Sequence, residues 1–404
     1  MYTNDLIIYL KLTLQNLSIS ENIKNQMKDS SWIRRMFEEG IILRQKYGPE
    51  NIFDLSLGNP NAEPPKLFKS ILSSIAEDQG EGLHRYMPNA GFSDTRQTIA
   101  ENLHNETRIP FSQEDIIMTC GAAGAINVFL RSILDKKDEV IIFSPYFAEY
   151  LLYIKNHNGI PVVSKCDEQF MPNLDDLSKL INRKTKAIII NSPNNPSGVV
   201  YDTQTIKQLG LVLEEFENKY NKSIYLISDE PYRKVVFKGK CPYIFNSYKN
   251  SVVVTSYSKD LGLAGERIGY IAFNPRISDK SDLIDAAIFC NRTLGFVNAP
   301  AIAQRIVKEL QNSVIDINFY KSKRDYLYNE LARIGYECIL PKGAFYMFPK
   351  SPLENDKKFV SILQSKRVLV VPGIGFGTSG HFRISYCVDD SVLEGSIKGF
   401  EEAF

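Results

Sequence analysis

The sequence is poor in several things. It has one tryptophan, four histidines and six cysteines in 404 residues, and its 48 Lys+Arg almost cancel its 47 Asp+Glu. The histidines (His84, His104, His157 and His381) stand at no metal-ligand spacing, which excludes a histidine-rich metal site. The cysteines (Cys120, Cys166, Cys241, Cys290, Cys338 and Cys387) are scattered without a CxxC pair. That argues against a disulfide framework or zinc site and fits a reducing compartment. Near-zero net charge offers no electrostatic handle to nucleic acid or to an anionic membrane. No run approaches transmembrane length. The apolar cluster Leu6 to Leu10 is short, lacks a basic region before it and is followed by Lys11, so no secretion signal is expected. What is plentiful is apolar: 44% hydrophobic residues against 24% charged, enough for a large core in two or three units. A cytoplasmic globular protein is expected.

Residues 1–30 mix polar residues with short apolar clusters and suggest at most a helix that packs on the body. From Ser31 to Tyr47, Ile33, Met36, Phe37, Ile41 and Leu43 fall near helical spacing after two serines able to cap. Between about 115 and 275, short β-rich runs alternate with helical stretches. The runs are Ile116 to Met118, Val140 to Phe143, Ala187 to Ile190, Tyr225 to Ile227, Val252 to Thr255 and Ile268 to Ala272. Near-continuous apolar strands separated by helices predict an α/β unit with a mostly parallel sheet buried on both faces. From about 300, long charged helices (Ala301 to Asn329) lead to strands near Tyr346 to Phe348 and Val368 to Val371 and a final helix. That is the pattern of a smaller α+β unit.

Ligands of such sheets bind beyond the carboxyl ends of the strands, so the residues after each run matter most. Ile190 is followed by Asn191-Ser192-Pro193-Asn194-Asn195-Pro196-Ser197-Gly198, a turn stiffened by two prolines. Ile227 is followed by Ser228-Asp229-Glu230-Pro231-Tyr232, and Val254 by Thr255-Ser256-Tyr257-Ser258-Lys259, then by Gly265-Glu266-Arg267. Met118 is followed by Cys120-Gly121-Ala122-Ala123-Gly124, small residues that let helix N–H groups approach an anion. Singly these are ordinary: Lys259 as a solvated loop lysine, Asp229 as a helix cap, Gly121 to Gly124 as a tight turn, Arg267 as a surface cation. Jointly they offer an amide, an acid with a phenol, a lysine with hydroxyls and arginine, and an anion-binding helix start. That set suits a phosphorylated nitrogen heterocycle carried on a Schiff-base lysine, with the acid on the ring nitrogen: pyridoxal phosphate.

These residues resemble the class I/II pyridoxal-phosphate-dependent aminotransferases of fold type I, near the aspartate aminotransferase-like branch. The resemblance runs from about Ser31 to the C-terminus through SLGNP (56–60), YMPNAG (86–91), NSPNNPSG (191–198), SDEPY (228–232), SYSKDLGLAGERIGY (256–270) and FRIS (382–385). It implies a large domain over 61–300 with a seven-stranded, mostly parallel sheet, and a small α+β domain from 31–60 and 301–404. It implies that Lys259 forms the internal aldimine and shuttles a proton, that Asp229 pairs with the pyridine nitrogen, and that Tyr232 and Asn195 bond the ring hydroxyl. Ser256, Ser258 and Arg267, with the backbone of Ala122 and Ala123, match phosphate ligands. Phe147 matches the ring that stacks on the cofactor, or else is a core aromatic. Tyr86 matches a residue that reaches the partner subunit's cofactor, which implies a homodimer, or else is a turn tyrosine. Cis bonds are implied at Ser144-Pro145 and Asn195-Pro196.

Arg383 matches the arginine that binds the substrate α-carboxylate, and its alternation with Phe382 and Ile384 independently places it with Ser385 on one strand face. Gly58 and Asn59 resemble the N-terminal substrate loop. Phe147 stands where dicarboxylate enzymes often have tryptophan, and Cys120 where a hydroxyl residue is common. Arg292 lies in the region of a distal-carboxylate arginine without aligning to it, so dicarboxylate specificity is unsupported. The expected activity is ping-pong amino transfer between an L-amino acid and a 2-oxo acid. A lyase or synthase on the same scaffold would share every cofactor ligand. A ligand-sensing domain of a transcription regulator would need a DNA-binding unit, and residues 1–30 are too short and carry no basic patch.

Overall fold

Along each strand of the main sheet, successive apolar side chains enter two different cores. Val140, Ile142, Ala187, Ile189, Val252 and Val254 pack on one side, and Ile141, Phe143, Ile188, Ile190 and Val253 on the other. Period-two alternation with both faces apolar is why these runs form an interior sheet rather than a half-exposed one. The structure is a computed structural model that describes residues 19–28, 32–78, 80 and 82–404.

Strand β1 (Phe53–Asp54) precedes the main sheet, which comprises β2 (Ile116–Thr119), β3 (Glu139–Ser144), β4 (Ile160–Lys165), β5 (Thr185–Asn191), β6 (Tyr225–Asp229), β7 (Ser251–Ser256) and β8 (Gly269–Phe273). Its seven strands run in the order β2-β8-β7-β6-β5-β3-β4, with β8 antiparallel to both neighbours. The sheet is therefore mostly parallel, as expected. Strand β4 is the one the sequence reading passes over. It lies at the edge, carries Pro161 at its second position and shows Ile160 and Val163 to solvent, so it lacks the continuous apolar signature.

The chain then builds β9 (Tyr346–Met347), β10 (Val368–Leu369), β11 (Val371–Pro372) and β12 (Phe382–Ser385). Three of these form an antiparallel sheet in the order β11-β12-β9, while β1 pairs in parallel with β10. The charged helices expected over 301–329 are Ala301–Glu309 and Ile317–Ile334. Asp316 caps the second by accepting from the Asn318 amide at 2.9 Å.

The expected amphipathic helix is Trp32–Tyr47. Met36 is buried, Gly40 lies against Leu369 and Asp54, and Ile41 is exposed. Ser30 and Ser31, the expected caps, lie outside the described residues, as do residues 1–18 of the extension. Its described helix, Glu21–Lys28, exposes Ile23 and Met27, so these two do not serve the packing role expected of it.

The crossing of β8 with the helix Gly121–Ile133 leaves no room for a side chain. A Cβ at Gly269 would lie 2.3 Å from the Thr255 carbonyl oxygen and 3.0 Å from the Gly121 backbone. Gly269→Ala is therefore expected to cost about 1–3 kcal/mol, because backbone rather than a flexible side chain must move. A lower urea midpoint at unchanged slope would show it; an unchanged midpoint would mean that the strands yield freely.

Candidate active site

The carboxyl ends of β5, β6 and β7 are Asn191, Asp229 and Ser256, and they open onto one cavity of about 290 Å³. Its walls bring together twelve of the residues expected from sequence: Gly58, Ala122, Ala123, Phe147, Asn195, Asp229, Tyr232, Ser256, Ser258, Lys259, Arg267 and Arg383. A larger cleft of about 780 Å³ between Lys165–Phe170 and Glu337–Lys350 contains none of them.

Asp229 sits at the deep end. One carboxylate oxygen accepts a short hydrogen bond from the Tyr150 hydroxyl, while the other, Oδ1, is buried with no protein partner. Burial pushes this acid up to about 7, against the lowering effect of the Tyr150 bond. A cation at Oδ1 would supply the missing partner and restore the charged form. The Asn191 amide donates to the Asp229 carbonyl at 2.8 Å and its Oδ1 accepts from the Asn195 N–H at 2.7 Å, which ties the ends of β5 and β6 together. Glu230, also buried, accepts from Ser228 at 2.7 Å and pairs with Arg233 at 2.6 Å, fixing the loop that carries Tyr232.

Lys259 donates to the Gly58 carbonyl at 2.9 Å. Burial lowers its amine to about 8; Arg267 and Arg383 lower it further and Cys387 opposes them. A lysine in that range has a usable lone pair near neutrality. Arg383 is fully enclosed. Its Nη1 donates to Asn195 Oδ1 at 3.0 Å and its Nη2 to the Ser56 carbonyl, while Nε is buried without a partner. At the far end, Arg267 approaches the first turn of the helix Gly121–Ile133 closely enough that a Cβ at Gly121 would lie 2.9 Å from its Nη2. Ser256 and Ser258 are buried beside it. A helix N-terminus, two hydroxyls and a guanidinium make an anion cradle. Phe147 is half-buried at the wall and meets Tyr150 edge-on, with ring centroids 5.5 Å apart.

Two singled-out residues lie elsewhere in the chain. Tyr86 is 90% exposed and outside the cavity. Arg292 ends the helix Lys280–Thr293, over the Phe289 ring, and does not line the cavity either. Cys120 precedes the helix at Gly121, with burial raising its thiol. The cis bonds at Ser144-Pro145 and Asn195-Pro196 are present, and Ser192-Pro193 is cis as well.

The family model for aminotransferase class I and II matches residues 50–399. The chain belongs to this family. Among its relatives, a probable aspartate aminotransferase of Methanocaldococcus jannaschii is 31% identical, over 87% of this chain and 93% of that protein. The aspartate aminotransferase of Bacillus subtilis is 29% identical over 87% and 91%. Among solved structures, an aminotransferase from Eubacterium rectale superposes with a TM-score of 0.92 at 38% identity, covering 96% of this chain and 98% of that one. The Thermus thermophilus aspartate aminotransferase with maleate gives 0.83 at 25% identity, over 93% and 97%. The protein is a fold type I aminotransferase that uses pyridoxal 5'-phosphate and acts on amino acids and 2-oxo acids. The cavity fits that group. It offers an unpartnered buried carboxylate for a ring nitrogen, an anion cradle for a phosphate and a depressed amine between them. Among the described residues no helix is long and apolar enough to cross a membrane, and no cluster of His, Cys, Asp or Glu could hold a metal ion.

Several groups in or behind the cavity of this aminotransferase were given no role from the sequence. Asn191 is the last residue of β5, and the strand-end rule could have singled it out. Tyr150 carries no such signal: it is separated from Asp229 by 79 positions and is joined to it only by the fold. Tyr153 and Tyr346, given no role from the sequence, also line the cavity.

Proposed function

We propose that Lys259 holds pyridoxal phosphate by its amine and then moves the proton at the substrate Cα. In this reading Asp229 pairs with the ring nitrogen, Tyr232 and Asn195 donate to the ring oxygen, and Phe147 covers the ring face. Ser256, Ser258, Arg267 and the N–H groups of Ala122 and Ala123 take the phosphate. The observation that carries it is the placing of Lys259, the unpartnered Asp229 Oδ1 and Arg383 on one cavity. When bound, the cofactor supplies an electron sink for the charge left at Cα.

The chain's own residues do the rest. Arg383 binds the α-carboxylate, with the Gly58 backbone at the same cavity wall. Together they turn the Cα–H toward Lys259. The Lys259 amine is the base, and its hydrogen bond to the Gly58 carbonyl keeps it on that side of the cavity.

The small domain would comprise 31–60 and 301–404, consistent with the pairing of β1 to β10, and 61–300 would form the large domain. We read the active unit as a homodimer in which the exposed Tyr86 reaches the partner subunit's cofactor. Six unpaired cysteines suit a cytoplasmic location.

The deciding experiment is an absorption titration of the loaded protein with a panel of amino acids, aspartate included because relatives carry that name. Conversion to the pyridoxamine form with release of the matching 2-oxo acid is expected. Pyruvate and ammonia without pyridoxamine would instead make the protein a lyase. The pH dependence offers a second check. Above about 8 the Lys259 amine carries its lone pair, so capture of added pyridoxal phosphate by the cofactor-free chain should accelerate as pH rises through that value and then level off. A flat rate through the same range would contradict the role of the depressed amine.

A further inference from the structure

Three buried tyrosines of this fold end on backbone carbonyls: Tyr248 on Ile224, Tyr336 on Phe400 and Tyr386 on Ala344. Tyr346 does not. Its hydroxyl lies 3.0 Å from the Tyr232 hydroxyl, both residues being almost fully buried at the cavity wall. The same hydroxyl occupies the space above Gly58, where an added Cβ would lie 1.8 Å away. Its ring lies under the Arg383 guanidinium at 4.7 Å, and Phe376 stands at 4.8 Å. The register explains the reach: Tyr346 on β9 pairs with Ser385 on β12, two residues beyond Arg383.

We infer that Tyr346 is a positioning residue that acts through two others: its hydroxyl aims the Tyr232 proton into the cavity, and its ring holds the Arg383 guanidinium. Glycine stands at 58 because the Tyr346 hydroxyl fills the place of a side chain. The inference rests on the reading of Tyr232 and Arg383 proposed above.

The argument is one of proton counting. Two phenols that share one hydrogen bond use one proton and leave one. If Tyr346 donates to Tyr232, the Tyr232 proton remains for an acceptor in the cavity, and the chain of two bonds strengthens both. If Tyr232 donated to Tyr346, it could only accept there and could not serve a ring oxygen. Arg383, Cys387 and Tyr320 are the ionisable groups that act on this pair, and Lys259 lines the same cavity. Arg383 lacks a partner on Nε, so the flanking rings supply orientation that hydrogen bonds do not.

Tyr346→Phe keeps the ring and removes the hydroxyl, whereas Tyr346→Leu removes both. In protein loaded with pyridoxal phosphate, the readouts are the pH midpoint of the visible absorbance and the split between KM and kcat for the amino acid. A donor at the ring oxygen stabilises its deprotonated form, so Tyr346→Phe should raise the midpoint by about half to one unit, the scale of one weakened hydrogen bond, with KM unchanged. Tyr346→Leu should add a rise in KM. Gly58→Ala should reproduce the midpoint shift by pushing the hydroxyl aside, and Gly58→Ala/Tyr346→Phe should shift no further.

An unchanged midpoint in Tyr346→Phe would overturn the hydroxyl's role, and a lowered one would show that Tyr232 donates to Tyr346 instead. A KM rise no larger in Tyr346→Leu than in Tyr346→Phe would overturn the Arg383 half. Tyr232→Phe separates the two levels. If it too leaves the midpoint unmoved, the proposed contact of Tyr232 with the cofactor fails. If it raises the midpoint and Tyr346→Phe does not, the inference alone fails.

Discussion

Lys259→Ala is expected to lose turnover by on the order of 10⁴-fold or more, because one substitution removes both the attacking amine and the base at Cα. The variant should bind pyridoxal phosphate only non-covalently, with the absorbance of the free aldehyde and release on dialysis. The fold should survive, since the Lys259 amine makes a single hydrogen bond, to the Gly58 carbonyl, and sits where burial disfavours its charge. Steady-state rates beside a thermal melt check this. Normal turnover by Lys259→Ala would remove the central assignment.

Asp229→Asn is the second large effect. The amide has nearly the shape of the acid and can still accept from Tyr150, but it cannot pair with a protonated ring nitrogen. A loss of about 10²–10³-fold in kcat is expected, the scale of removing one preorganised electrostatic group. KM for the amino acid should change little, because Arg383 is untouched. Asp229→Ala distinguishes charge from shape: it should be no faster than Asp229→Asn and should melt lower, because the Tyr150 hydroxyl is left buried without its acceptor. A variant Asp229→Asn with wild-type kcat would mean that the ring nitrogen is not paired in this cavity.

The strand interiors were legible because β3, β5 and β7 bury both faces and so read as unbroken apolar runs. The residues just beyond them were legible for the same reason: Asp229, Asn195 and Lys259 follow such runs directly, and a parallel sheet delivers its carboxyl ends to one place. Edge strand β4 was not, since half of its residues face water and Pro161 imitates a loop. Tyr150 and Tyr346 were illegible for a deeper reason. A tyrosine at core spacing gives the same pattern whether its hydroxyl ends on a carbonyl or in a cavity, and only the partner across the fold decides. Tyr346 and Tyr232 meet over a separation of 114 positions that no local rule spans.

The two ends of the cavity are written at different places in the chain. Everything proposed to hold the cofactor within one subunit lies between Ala122 and Arg267, whereas the Arg383 guanidinium closes on the Ser56 carbonyl over a separation of 327 positions. Strand β1 likewise waits for β10. During synthesis from the N-terminus, the seven-stranded sheet and its anion cradle are therefore complete well before the carboxylate-binding end exists, and domains fold as their residues emerge. A nascent chain passes through a stage equipped to take up a reactive aldehyde but not to select a substrate. On the proposed roles, the last strands to emerge add the substrate-binding arginine to a sheet already furnished for the cofactor.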